Sequence, residues 1–183
     1  MTQQDWDLIM KIHLTSIFVT TKAAYAYMLK QKYGRIINVS SPSGLYGSFG
    51  QVNYSCAKAG IIGFSNALAK ESQKNNIFVN VVCPLAATRM TETLFSSDIL
   101  ETLKVDYIVP LVAYLCHETN KETGSIFEVG GRYIAKMRCN RSEGVIFNSN
   151  LESEDVKEIF NDIIDFPNVR VEDSWKQIMF SGR

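Results

Sequence analysis

A chain of 183 residues, 46% hydrophobic and 21% charged, has the size and balance of one domain with a real core. Its 19 basic and 19 acidic residues cancel, so nothing in the charge points to nucleic acid or to a membrane surface. The longest apolar run, residues 107–116, is too short to span a bilayer. The four cysteines form no CxxC pair and only His13 and His117 add imidazoles, which argues against a metal site and for a reducing compartment.

Taken in chain order, Thr2 to Asp5 reads as a capping box opening a helix that runs to about Lys32 and ends at Gly34. Trp6, Ile9, Met10, Phe18, Ala24, Tyr25 and Met28 supply its apolar face. Ile12, Thr15, Ile17, Val19, Thr20 and Thr21 are poor helix formers, so this helix needs burial against the rest of the fold. Residues 35–40 carry a strand signal, and Ser41 before Pro42 is biased toward extended backbone. Gly44, Gly47 and Gly50 mark a loop. A second long helix begins at Asn53 or Tyr54 and ends near Lys74, with Ala57, Ile61, Phe64 and Leu68 on its buried line. Residues 77–83 form a buried strand ended by Pro84. Short helices follow over 98–104 and 106–117, where Pro110 fits only near the first turn. Residues 125–129 make a third strand before Gly130 and Gly131. Cys83 and Cys116 read as small core residues. Strands alternating with long helices predict an α/β fold, a parallel sheet covered on both faces. Residues 1–140 form that part, and residues 141–183 read as an appended tail with one acidic helix over 153–164.

The residues that carry chemistry are Ser41, Tyr54 and Lys58. Four positions apart on a helix, Tyr54 and Lys58 share a face. A phenol titrates near about 10 and is a weak base at neutral pH, but an ammonium beside it favours the phenolate. Ser41 lies past the carboxyl end of a strand, the edge where open α/β sheets bind ligands, and its hydroxyl can hold a substrate oxygen. A Tyr-x-x-x-Lys spacing by itself arises often by chance. The strand end, the Gly-containing loop and the helix start supply the context that makes it specific.

The stretch Gly34 to Ser41, followed by Tyr54-Ser55-Cys56-Ala57-Lys58-Ala59-Gly60, resembles the short-chain dehydrogenase/reductase family. Residues 44–47, 49–51, 53–55, 89–93 and 127–130 resemble its multifunctional branch, the peroxisomal β-oxidation dehydrogenases. The resemblance implies the carboxyl-side half of a Rossmann-type, doubly wound sheet. It implies an oxidoreductase converting (3R)-3-hydroxyacyl-CoA to 3-ketoacyl-CoA with NAD, in the peroxisome. Ser41 would orient the substrate hydroxyl, Tyr54 would take its proton, and Lys58 would support Tyr54 and hold the cofactor ribose. Pro84 and Thr88 would lie along the nicotinamide, with Leu85 standing where the family often has Gly. His13 occupies the place of a relay asparagine, where a relay role and a structural role are both open. Arg89 to Thr93 would begin a substrate-covering loop. Lys136, Arg138 and Arg141 could meet coenzyme A phosphates or form a solvated strand edge.

The Gly-x-x-x-Gly-x-Gly turn that cradles the dinucleotide pyrophosphate does not occur upstream of Ser41. The expectation is therefore an amino-terminally truncated dehydrogenase domain, and the resemblance implies that it pairs as a homodimer through helices over 5–32 and 54–74. The alternative is a catalytically incompetent fragment that serves as a dimerisation module for an intact subunit. No targeting signal stands at either end: the amino terminus has no signal segment and Phe180 to Arg183 is no peroxisomal Ser-Lys-Leu address.

Overall fold

The structure, a computed structural model, describes residues 1–88, 96–139, 142, 145 and 152–165. The chain divides into two compact units, one containing Met1–Met137 and one beginning at Arg138.

The first unit opens on α1 (Gln3–Met10), where the predicted capping box closes: Thr2 Oγ1 accepts from the Asp5 N–H at 3.1 Å and Asp5 Oδ2 accepts from the Thr2 N–H at 2.8 Å. The helix widens into a π turn over Lys11–Thr15 and resumes as α2 (Ser16–Gln31). Lys32 rather than Gly34 takes the left-handed turn that ends it, and Gly34 becomes the first residue of β1 (Gly34–Val39). Then come α3 (Pro42–Tyr46), α4 (Val52–Ser72), β2 (Ile77–Pro84), α5 (Ser97–Thr102), α6 (Val109–Cys116), β3 (Ile126–Gly130) and β4 (Tyr133–Met137).

The sheet has the order β1-β2-β3-β4. The first three strands are parallel, with Ile36 opposite Val79 and Cys83 opposite Glu128. The expected parallel sheet is present over β1 to β3, and β4, which the sequence reading does not include, adds to its edge antiparallel to β3. Gly131 and Arg132 turn the chain between them with φ of 52° and 66°, the paired left-handed geometry that matches strand twist in a tight hairpin. The result is a mixed, Rossmann-like sheet flanked by helices.

Every residue of β2 before Pro84 is buried, as a central strand covered on both faces requires. Its side chains alternate. Ile77 and Val79 join Ile36 and Ala69, with Tyr25, Met28 and Leu68 against them. Val81 and Cys83 join Ile126, Leu45 and Ile62. Val82 points the other way, to Leu111, Leu115 and Val129. Each such aliphatic side chain stabilises the fold by roughly 1.5–3 kcal/mol when fully buried. Pro110 sits in the first turn of α6, as predicted. Cys116 is exposed, contrary to expectation, because Leu111 and Leu115 hold the buried stripe of that helix.

On α4 the buried line is Ala57, Lys58, Ile61, Ser65, Ala69 and Ser72; Phe64 and Leu68 are only partly covered. The small residues let the helix lie close to the sheet, near enough for Asn38 Nδ2 to donate to Ser65 Oγ at 2.8 Å. In the second unit, α7 (Ser153–Ile164) matches its predicted bounds and opens on a capping box between Glu152 and Asp155.

Candidate active site

The parallel register brings the carboxyl ends of β1 and β2 to one edge. There the Ser40 N–H donates to Val82 O at 2.8 Å. Ser41 is extended, as Pro42 demands, and caps α3: its Oγ accepts from the Ser43 N–H at 3.2 Å. The expected loop marked by Gly44, Gly47 and Gly50 is thus partly a short helix, with Pro42 in its first turn and Gly47 ending it at φ 76°. α3 packs directly on α4, since a Cβ at Gly44 would sit 2.7 Å from the Lys58 carbonyl carbon.

Tyr54 and Lys58 share a face of α4. Lys58 Nζ lies 5.5 Å from the Tyr54 ring centroid and donates to Val39 O at 2.9 Å, while the Lys58 carbonyl accepts from Ser40 Oγ at 2.8 Å. Only 8% of Lys58 is exposed. Loss of hydration lowers its pKa from the ordinary lysine value, opposed by the nearby Cys83 thiol. A poorly hydrated ammonium acts more strongly on its neighbours than one in bulk water. Cys83 lies behind the site with the Ser40 hydroxyl and Ser41 amide at its sulfur, and burial pushes its pKa up to about 11.

His13 belongs to the π turn, and its ring meets the Tyr54 ring edge-on, with centroids 5.1 Å apart. A π turn inserts a residue and shifts the helix face locally, a device common at functional sites. Burial, and then the Lys58 ammonium, lower the His13 pKa and favour the neutral imidazole. Asn53 Nδ2 donates to Asp5 O at 3.2 Å and its Oδ1 accepts from the Tyr54 N–H at 2.8 Å, fastening the start of α4 to α1. The Asn53 tie and the Ser40 and Val39 contacts of Lys58 escape the sequence reading. Their only signal is adjacency to Tyr54 and Ser41.

The structure therefore brings His13, Tyr54 and Lys58 together and sets Ser41 at the adjoining strand end. A phenol flanked by an ammonium and a neutral imidazole can take or return a proton at a substrate oxygen. Pro84 closes β2, and the Leu85 N–H continues the pairing to Val129 O at 2.8 Å. Leu85 does not need glycine's backbone freedom; positive φ among the described non-glycine residues occurs at Lys32, Asn76 and Arg132. The close approach falls on Gly130, where a Cβ would lie 2.4 Å from Leu85 O. Thr88 follows, exposed, at the end of the described segment. Arg89 to Thr93 and Arg141 lie outside the described residues. Lys136 pairs with Glu122 at 2.7 Å and Arg138 is exposed, which fits the strand-edge alternative for the basic group. A separate open hollow of about 490 Å³, between Asp98, Glu101 and Arg132, contains none of the four side chains named for catalysis.

The profile of the family described as short chain dehydrogenase matches residues 1–98. The chain is 52% identical over 151 residues to the peroxisomal hydratase-dehydrogenase-epimerase of Neurospora crassa, covering 82% of this chain and 17% of that protein. It is 48% identical over 170 residues to the peroxisomal multifunctional enzyme type 2 of Mus musculus, covering 91% of this chain and 23% of that one. The solved full-length peroxisomal multifunctional enzyme type 2 of Drosophila melanogaster superposes with a TM-score of 0.81 at 40% identity, over 90% of this chain and 30% of that structure. The chain thus spans less than a quarter of the length of either curated relative.

Proposed function

We propose that this chain, which belongs to the short chain dehydrogenase family, carries the proton-transfer side of an NAD-dependent oxidation of (3R)-3-hydroxyacyl-CoA to the 3-ketoacyl thioester. The supporting observation is the grouping of Tyr54 with Lys58 and His13 beside the end of β1. In this reading Ser41 holds the substrate hydroxyl and Tyr54 accepts its proton as the carbinol carbon is oxidised. Lys58 stabilises the developing phenolate. His13, kept neutral, passes protons between Tyr54 and the outside.

NAD fits this edge in part. Tyr54 and Lys58 would hold the ribose, and Pro84 and Thr88 the nicotinamide end. When bound, the nicotinamide supplies the acceptor for hydride. Residues 1–183 hold no Gly-x-x-x-Gly-x-Gly turn, so no pyrophosphate cradle is assigned to them. The acyl-CoA substrate, the peroxisomal location and a domain boundary near residue 140 are proposed by likeness to the relatives. Homodimerisation through residues 5–32 and 54–74 is supported by Leu8, Ile12, Phe18 and Val19, which are exposed on the first helical segment. The same exposed residues favour a second reading, a pairing module that forms an inactive mixed dimer with an intact subunit.

In the full-length polypeptide carrying these residues, Tyr54→Phe is expected to lower NAD reduction with a (3R)-3-hydroxyacyl thioester by about 100-fold or more. Turnover near wild type would remove Tyr54 from the mechanism. The chain of 183 residues alone is expected to bind NADH weakly, by nicotinamide fluorescence. Tight binding would show that a cradle exists within it. Light scattering of the chain mixed with intact enzyme tests the second reading, which fails if no mixed dimer forms.

A further inference from the structure

Glu128 breaks a general rule of burial. It lies on β3 with 0% exposure, opposite Cys83 on the face covered by α3 and α4. Its Oε2 accepts from Tyr46 Oη at 2.9 Å, and its Oε1 meets no donor among the described residues. A buried carboxyl group held on one oxygen is a poor stabiliser: apolar residues of similar volume usually serve a core as well or better. Residues that violate such a rule concentrate at functional sites.

The hydroxyl that holds it belongs to the last residue of α3, and the first residue of that helix follows its cap, Ser41. Tyr46 is half-exposed and leans also on Met137 Sδ at 3.7 Å. The short helix carries few bonds of its own, among them Gly44 N–H to Ser41 O at 2.9 Å and Gly47 N–H to Ser43 O at 3.1 Å. A five-residue helix is too short to persist alone. Its orientation depends on tethers. Gly44 against Lys58, Leu45 against Val81 and Cys83, and Ser43 Oγ on Gln51 hold its start and middle, and the bond from Tyr46 to Glu128 ties its last residue to β3.

We propose that Glu128 and Tyr46 form a positioning pair that clamps α3 to β3 and thereby sets the place of Ser41 at the carboxyl end of β1. This rests on the proton-transfer reading of Ser41 and Tyr54 given above. Neither Glu128 nor Tyr46 touches substrate in this account; both act through α3. An error of about an ångström in a positioned group costs on the order of 100-fold in rate.

The test uses Tyr46→Phe, Glu128→Met, which removes the acceptor at similar volume, and the double variant. In the 183-residue chain, amide exchange at Gly44 and Gly47 is expected to quicken about tenfold in each single variant, with exchange at Val81 and Val82 unchanged. Both changes remove the Tyr46–Glu128 bond, and Tyr46→Phe also removes the contact on Met137, so the double variant is expected to add little to the effect of Tyr46→Phe alone. In the full-length polypeptide, kcat for hydroxyacyl oxidation is expected to fall roughly 10- to 100-fold, with KM for NAD unchanged. A purely structural role would shift the melting temperature and leave that split unmoved. If Glu128→Met fails to fold, Tyr46→Phe, at a half-exposed ring, tests the same bond. Unchanged exchange, additive effects or an unaltered kcat would each overturn the clamp. Failure of the dehydrogenase reading itself is seen separately, as a Tyr54→Phe variant that keeps its turnover while the exchange effects persist.

Discussion

The two ends of β1 hold their cations in opposite ways. At the amino end, Arg35 is stacked between the rings of Tyr33 and Phe78, at 4.6 and 4.5 Å. Its two terminal nitrogens donate to four backbone carbonyls: Gly34 and Asn76 from Nη1, Glu118 and Asn120 from Nη2. These carbonyls come from the first residue of β1, the turn at Asn76 and the turn at residues 118–120, so one guanidinium fastens the bottom of the sheet. At the carboxyl end, Lys58 has Val39 O and the face of Tyr54, in a place that strips it of water. Arg35 spends its fixed fork of donors on structure. Lys58 is left under-solvated, which suits a group that must act on a neighbour. On the proposed reading, one strand thus joins a stabilising end to a reactive one.

The sharpest way to break this comparison is Lys58→Met. Turnover in the full-length polypeptide is expected to fall about 100-fold or more, because the phenolate loses its cation. Stability of the chain is expected to change by no more than about 1 kcal/mol in a urea titration, for two opposing reasons. The lowered folded-state pKa of Lys58 means that its full stability is present only above the unfolded value of about 10.5 and is lost as pH falls through the folded value. At neutral pH that penalty is in force, so removing the ammonium relieves it while forfeiting the bond to Val39 O. A large drop in stability would place Lys58 with Arg35 as a structural cation.

Arg35→Met should do the reverse. Loss of its carbonyl contacts is expected to cost about 2–4 kcal/mol by urea midpoint, with turnover near wild type below the shifted melting point. A catalytic defect as large as that of Lys58→Met would erase the distinction between the two ends. A smaller effect follows at the seam between α3 and α4. Gly44→Ala pushes a methyl into the Lys58 backbone and is expected to cost about 1–3 kcal/mol, with turnover reduced as α3 shifts. Wild-type stability in that variant would mean that α3 is not tightly seated.

How much of this was legible in the sequence depends on whether the signal was local. Tyr54 and Lys58 could be paired because a four-residue spacing fixes their shared face once a helix is assumed. The extended backbone of Ser41 followed from Pro42, and α7 from its richness in Asp and Glu. The π turn at His13 has no such signature, since its extra residue is settled by packing against Tyr54. β4 was hidden by a turn built from Gly131 and Arg132, because arginine rarely accepts a left-handed φ and the strand is only half-buried. The capped helix at Ser41 was overlooked among glycines that suggest a loop. Glu128 could not have been found, because burial of a carboxyl on a strand is a property of the covering helix and not of neighbouring residues in the chain.

The mildest test concerns His13, the residue whose role the sequence left open. Its pKa is lowered in the fold by burial and then by Lys58, so the unfolded chain takes up a proton first as pH falls past about 6.5. The stability associated with the neutral ring is therefore complete above that value and is lost as pH falls through the folded one. His13→Asn removes this term while keeping a polar side chain in the π turn. Urea midpoints at about pH 8 and about pH 5 are expected to differ more in wild type than in the variant. Equal acid losses would mean that His13 titrates as it does in the unfolded chain, and that the Tyr54 edge does not hold its ring neutral. A greater acid loss in wild type would place His13 at the reactive end of β1, as a group whose charge the fold resists in order to keep it available for proton passage.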